Sequence, residues 1–178
     1  ELSRCALNVV DLRDRGPGPF GLVQPDGNEQ PVDYPVYAPG TRLQFGTAAV
    51  DKYLWYGWSG REIFSHWTDR GNATLIFSLK SSAEQKQKVT LRIFGAPFLA
   101  PGKLDAQRVI IKLNDQRICD WKLTRPEPQE QSIEIPSGAS RDRNVLMFIL
   151  PDAASPKSLG VSEDVRLLGF NVQWIEID

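Results

Sequence analysis

The chain has one histidine, one methionine and two cysteines, and no apolar run long enough to cross a bilayer. Each scarcity narrows what the protein can do. A transmembrane helix takes about 20 consecutive apolar residues, so no direct membrane insertion of this segment is expected. Two cysteines and a lone histidine fall short of a typical zinc site unless carboxylates complete it. A formal net charge of -1 gives no overall attraction to nucleic acid or to an anionic membrane surface, and no nucleic-acid partner is expected. No i, i+3, i+4, i+7 stripe persists over three turns, and 13 prolines with 14 glycines favour turns over long helices. A G-x-S-x-G nucleophile elbow and a phosphate-cradling loop are also missing, which counts against a small hydrolase or transferase.

What is present is enough for one soluble domain. A chain of 178 residues can bury a core without staples, and 41% hydrophobic with 24% charged residues is an ordinary globular balance. We expect a single domain over 1–178, with an irregular wrap at 1–40 and a sandwich core at 41–178. Cys5 and Cys119 allow a disulfide closing a long loop or two buried thiols, and both remain open. Glu1–Val10 lacks the basic start and apolar block of a signal peptide. The chain begins inside a β pattern (Cys5, Leu7, Val9) and ends on a strand-like Trp174–Asp178, so excision from a larger protein is expected.

Period-two alternation recurs along the chain. It predicts strands at 41–46, 53–55, 73–79, 89–94, 107–113, 117–123, 131–135, 144–150 and 165–177, with Tyr53–Trp55 as strand and core, a weaker edge strand at 1–12, and Gly169 marking a bend or bulge. Asn114-Asp115 reads as a tight hairpin turn. Polar or proline-bearing segments at 81–88, 95–102, 124–130 and 151–165 read as loops. The pattern is that of an all-β protein: a jelly-roll-like β-sandwich of about eight or nine antiparallel strands, with long loops and little helix. A turn or two of helix is expected within 59–67 or 138–143.

The unusual stretch is Tyr53–Leu79, where Trp55, Tyr56, Trp58 and Trp67 are interleaved with Arg61, Glu62, His66, Asp69 and Arg70. Sugars present apolar C–H faces that stack on aromatic rings, and hydroxyls that pair with carboxylates and guanidinium groups. The mixture fits that demand, although tryptophan in a sandwich is more often core. On a helical turn over 61–67, Glu62 and His66 would share a face, which is half of a general-base arrangement. Carboxylate pairs for glycoside hydrolysis would be Glu62 with Asp69, or with Glu163 or Asp164. A second polar concentration, holding Arg143 and Arg166, is expected to close over the aromatic stretch. The candidate ligand-binding residues are therefore Trp58, Arg61, Glu62, His66, Trp67, Asp69, Arg70, Arg143 and Arg166. No catalytic or metal residue and no cofactor is assigned. Asp51, Asn114, Asp115, Asp152 and Asp164 leave room for a structural calcium.

Two blocks also carry a resemblance. Gly57-Trp58-Ser59-Gly60-Arg61-Glu62, then His66-Trp67-Thr68-Asp69 and a strand, is similar to the GWS-x-x-E-x-x-x-x-W-[TS] opening of a β-sandwich module attached to bacterial membrane glycan-modifying enzymes. Asn144–Phe148, Ser155–Gly160 and Asp164–Phe170 resemble its closing half. Phe64 and His66 depart from the pattern, which more commonly reads Trp-Gly-Arg-Trp there. Such modules occur beside multi-spanning glycosyltransferases and periplasmic phosphoglycerol transferases. The resemblance implies a periplasmic or extracellular site on a bacterial membrane. It also implies a glycan or oligosaccharide ligand, and a parent or neighbouring membrane enzyme as partner.

Three functions compete at this point. The first is a non-catalytic carbohydrate-binding or accessory module. The second is a structural or interaction module that orients its parent enzyme. The third is a small carbohydrate-active hydrolase or transferase, which the missing nucleophile disfavours.

Overall fold

A computed structural model describes residues 34–79 and 89–178. Within these residues eleven strands form two facing sheets, an all-β, jelly-roll-like sandwich. The first sheet contains β1 (Val36–Tyr37), β3 (Leu54–Tyr56), β5 (Asn72–Leu79), β10 (Arg143–Ile149), β7 (Gln107–Leu113) and β8 (Gln116–Leu123). The second contains β2 (Leu43–Gln44), β4 (His66–Asp69), β11 (Leu168–Ile177), β6 (Val89–Pro97) and β9 (Gln129–Ile135). One helical turn, α1 (Ala48–Asp51), interrupts the early strands.

The two sheets begin in the same way. In the first, the short strands β1 and β3 lie one after the other beside β5, and β10 takes its other side. In the second, β2 and β4 lie one after the other beside β11, and β6 takes its other side. Chain segment 36–69 therefore zigzags between the sheets along one side of the sandwich. Among the described residues every strand pairing is antiparallel except that of β1 with β5.

Alternation explains which side chains face inward. Leu91 and Ile93 of β6 and Ile133 and Ile135 of β9 are buried, while Arg92, Glu130 and Glu134 between them face out. Val109, Ile111 and Leu113 of β7 do the same from the opposite sheet. Phe148 of β10 and Phe170 of β11 meet across the core with ring centroids 6.5 Å apart. Fully burying one such ring is worth about 1.5–3 kcal/mol. The sheets are also tied at the far end of β11, where the Tyr37 hydroxyl accepts the Ile177 N–H at 2.8 Å and donates to the Thr41 carbonyl.

Several boundaries differ from the sequence expectation. The strand expected at 41–46 shrinks to Leu43–Gln44, because Gly46 turns the chain with φ of 78°. The segment 95–97 extends β6 and does not open a loop, since it pairs with Phe170–Val172 of β11. Helix is found at 48–51 and not within 59–67 or 138–143. Residues 57–69 instead fold back on themselves: the Ser59 N–H donates to the Trp67 carbonyl at 2.9 Å and the Asp69 N–H to the Gly57 carbonyl at 2.7 Å. Within that loop the Glu62 N–H donates to the Ser65 carbonyl at 3.0 Å, a turn contact and not a helical i→i−4 bond. Glu62 and His66 therefore share no helical face. The register of β11 against β4 slips between Leu168 and Asn171, around Gly169. The expected strand at 1–12, Cys5 with its possible pairing to Cys119, and the polar segment 81–88 lie outside the described residues.

Candidate binding cleft

A cleft of about 340 Å³ opens where β3 leaves the first sheet. It is lined by Asp51, Leu54, Trp55, Tyr56, Gly57, Trp58, Ser59, Gly60, Arg61 and His66. Trp55 and Tyr56 are the aromatic surface it offers, with 45% and 46% of their areas exposed. Core membership was expected for Trp55. It is solvent-facing because β3 is a three-residue edge strand whose register against β5 shifts between Leu54 and Tyr56, which leaves Trp55 and Tyr56 both exposed.

Trp58 is the inward member of the lining. Its ring packs against Phe45 at 5.3 Å and Phe148 at 5.6 Å, and its indole N–H donates to the Thr74 carbonyl at 2.9 Å. It forms the back wall of the cleft and is anchored to the core. His66 lies nearby, 2% exposed, with its ring edge-on to Phe45 at 5.6 Å. Its Nδ1 accepts the Gly46 N–H at 3.2 Å, which places the proton of the neutral ring on Nε2. Nε2 faces Asp51 Oδ1 at 3.9 Å. The other oxygen of that carboxylate, Oδ2, lies 3.5 Å from Arg61 Nε. Burial lowers the His66 pKa from 6.5; Asp51 acts against that shift, Arg61 with it and Glu62 against it. The ring is therefore neutral near pH 7.

The other candidate residues are dispersed. Trp67 follows His66 in β4, so strand alternation sends its ring away from the imidazole, edge-on to Phe98 at 6.3 Å. Arg70 lies beside the cleft, its guanidinium 5.2 Å from the Tyr56 ring centroid. Glu62 turns outward to Arg166, Oε1 to Nη1 at 3.4 Å. Arg166 is held by both oxygens of Asp164. Hydrogen bonds from the Arg166 side chain and then its backbone keep the Asp164 carboxyl below its usual range, and the same side-chain bond raises Arg166. The Asp69 carboxylate accepts the Leu167 N–H at 3.0 Å. The late loop thus reaches the aromatic stretch, but it packs behind Glu62 and Asp69 and does not line the cleft. Arg143 is not brought to the cleft. It pairs with Ser78 at the far end of β5 and lies over Tyr34, well away from the Asn72 end where the cleft sits.

The five oxygen donors considered for calcium do not converge. Asn114 is buried and bonded to Ala139 and Asn144, Asp115 pairs with Arg141, and Asp152 accepts the Arg108 N–H. Asp51 and Asp164 are held by Arg61 and Arg166. Among the described residues no group of three or more His, Cys, Asp or Glu could hold a metal ion, and no helix is long and apolar enough to cross a membrane. The carboxylates paired for hydrolysis also fall outside the cleft: Glu163 is bound to Lys157, and Glu62 and Asp164 share Arg166.

A separate apolar surface flanks the Glu62–Arg166 bridge. Ile63 and Phe64 are 83% and 71% exposed, and Val165 across the bridge is 70% exposed.

Sequence reasoning missed Asp51 as a cleft residue, because α1 brings it in from ten positions upstream of Arg61 and no local pattern marks it.

No family model matches the chain, and no curated protein does. Among solved structures it is similar to the carbohydrate-binding module CBM36 in complex with calcium and xylotriose, at 11% identity and a TM-score of 0.44, covering 78% of this chain and 99% of that one. It is similar to dimeric latent PorU from Porphyromonas gingivalis at 11% identity and 0.48, covering 81% of this chain and 14% of that one. The sugar-binding C-terminal domain of EclA aligns at 17% identity and 0.37, over 88% of each chain. Likeness at this level assigns no ligand to this chain.

Proposed function

We propose that this chain is a non-catalytic carbohydrate-binding module serving a bacterial cell-envelope glycan-modifying transferase, at the periplasmic or extracellular face of the membrane. The observation that carries the ligand class is the cleft itself. Two half-exposed aromatic rings, Trp55 and Tyr56, stand beside a solvent-facing carboxylate–guanidinium pair, Asp51 and Arg61. Aromatic faces suit the C–H side of a pyranose. The adjacent acceptor and donor suit neighbouring hydroxyls, since a carboxylate only accepts and a guanidinium only donates. The single histidine is buried and turned to Gly46, a poor place for a general base. The transferase context and the membrane-enzyme partner draw support from the two-block resemblance alone.

Glycan arrays, followed by calorimetry with cell-envelope oligosaccharides, test the reading. Wild type should bind. Trp55→Ala should weaken binding about tenfold, equivalent to roughly 1.4 kcal/mol, with little change in urea midpoint. No binding by a folded wild-type protein would end the proposal.

One observation favours a second reading, an interaction module that orients its parent enzyme. Ile63, Phe64 and Val165 leave an apolar surface beside the cleft, and such surfaces often mark protein contacts. Phe64→Ser should then weaken co-purification with the parent enzyme while glycan affinity stays unchanged.

A further inference from the structure

We propose that His66 acts as a positioning residue for Asp51, and that protonation of its ring makes the cleft release glycan in acid. The inference rests on the glycan reading above and adds a regulation to the same site.

Four groups form a chain at the back of the cleft. The Gly46 N–H donates to His66 Nδ1, His66 Nε2 faces one oxygen of Asp51, and the other oxygen faces Arg61 Nε. Only the neutral imidazole fits this arrangement, because a second ring proton would sit on Nδ1 and point at the Gly46 N–H. Gly46 cannot yield. Its φ of 78° is left-handed, and a Cβ there would meet Ser65 N at 2.7 Å, Glu62 O at 2.8 Å and Phe64 C at 2.8 Å. The backbone on that side is packed, so the ring has to move.

The charged groups around the ring set the direction of the response. Asp51 from α1, with Arg61 and Glu62 from the following loop, are the groups acting on it. Glu62 is already bound to Arg166, and Phe45 contributes only a ring edge. Of the two carboxylates, Asp51 is the one already facing Nε2. A protonated ring would draw it inward and away from Arg61. The paired acceptor and donor that the cleft presents to sugar hydroxyls would then separate.

Linkage fixes the expected size. If glycan binds the neutral-ring form, one proton is excluded per glycan bound. Affinity then falls by up to about tenfold per pH unit on the acid side of the His66 transition. By reciprocity, bound glycan shifts that transition to lower pH.

The test combines nitrogen-15 NMR with calorimetry from roughly pH 4.5 to roughly pH 7.5, the span in which a histidine titrates. The calorimetric probes are the β-1,4-linked hexaoses of xylose, glucose and mannose together with the oligosaccharides that bind in the array. Expected results are an Nε2–H tautomer at the upper end, one transition shared by the His66 ring and the Arg61 Nε–H, and affinity falling with it. In His66→Asn the amide oxygen still accepts the Gly46 N–H but takes up no proton, so affinity should stay flat with pH. The wild-type measurements decide the matter if that variant does not fold. Affinity that is flat across the range in wild type, or a His66 transition that Arg61 does not follow, overturns the proposal. A shared transition with no glycan bound at any pH sinks the glycan reading and supports the His66–Asp51–Arg61 relay.

Discussion

The indole N–H of Trp58 donates to the backbone carbonyl of Thr74 at 2.9 Å. That bond divides the aromatic stretch into parts with different duties. Trp58 closes the core and backs the cleft, while Trp55, three positions earlier, faces solvent. Trp58→Phe should lose about 1–3 kcal/mol of stability, the usual range for a buried carbonyl left without its donor. Trp58→Ala should lose about 3–5 kcal/mol. Urea denaturation checks both, and a change under about 0.5 kcal/mol for Trp58→Phe would show that the bond is replaced at no cost.

Gly57 and Gly60 lie in the same turn but tolerate change differently. Gly57 has φ of 76°, and a Cβ there would meet the Asn72 carbonyl oxygen at 2.0 Å. A Cβ on Gly60 meets nothing within 4 Å. Gly57→Ala should therefore destabilise by more than about 1 kcal/mol and spoil the cleft. Gly60→Ala should be neutral or slightly stabilising. Thermal melts of the two variants make the comparison, and equal effects would contradict it.

Asn114 should act as a keystone of the β7–β8 turn. It is the one non-glycine with positive φ among the described residues, at 54°. Its side chain donates to Ala139 O at 2.7 Å and to Asn144 Oδ1 at 3.2 Å, and accepts from Val145 N at 3.0 Å. Asn114→Asp swaps the two donations for a carboxylate oxygen set against two acceptors. A loss of about 2–4 kcal/mol is expected at neutral pH, partly recovered in acid as that carboxyl protonates. Chemical denaturation at two pH values is sufficient to test it.

Tyr37 should give the alkaline limb of stability. Burial raises its phenol above the ordinary 10.0, partly offset by the Ile177 backbone hydrogen bond, and Glu176 adds to the rise. The native state then keeps the proton where the unfolded chain has lost it. Stability from this group is complete below about pH 10 and declines as pH rises through the native value. Tyr37→Phe should cost about 1 kcal/mol near neutrality and flatten the decline. An unchanged alkaline slope in that variant would assign the limb to another group.

Much of the fold was legible because long strands with one buried face advertise a period of two. β7, its turn and β8 fall almost where the alternation puts them, and β9 and β10 shift by a residue or two. The early strands were harder to read. β2, β3 and β4 are two to four residues long and owe their pairing to β5 and β11, not to any pattern of their own. The same shortness hid the cleft. With Gly57 and Gly60 breaking the run, nothing local tells that Trp55 faces out while Trp58 faces in. Asp51 joins Arg61 and His66 only through the turn of α1. Arg143 and Arg166 looked equivalent as charges in late segments, yet the antiparallel register sends them to opposite ends of the sandwich.

The rings of Phe170, Phe148, Trp58, Phe45 and His66 touch in succession from the middle of the sandwich to the cleft. The back of the cleft, Trp58 and His66, thus belongs to the same run of rings that joins the two sheets. No partly folded form with the sheets apart can carry a competent site, so occupancy reports the whole cooperative unit. Any molecule that settles there should raise the global melting temperature with its logarithmic concentration. It should also slow amide exchange in β5, β10 and β11 together, as far from the cleft as the central strands reach.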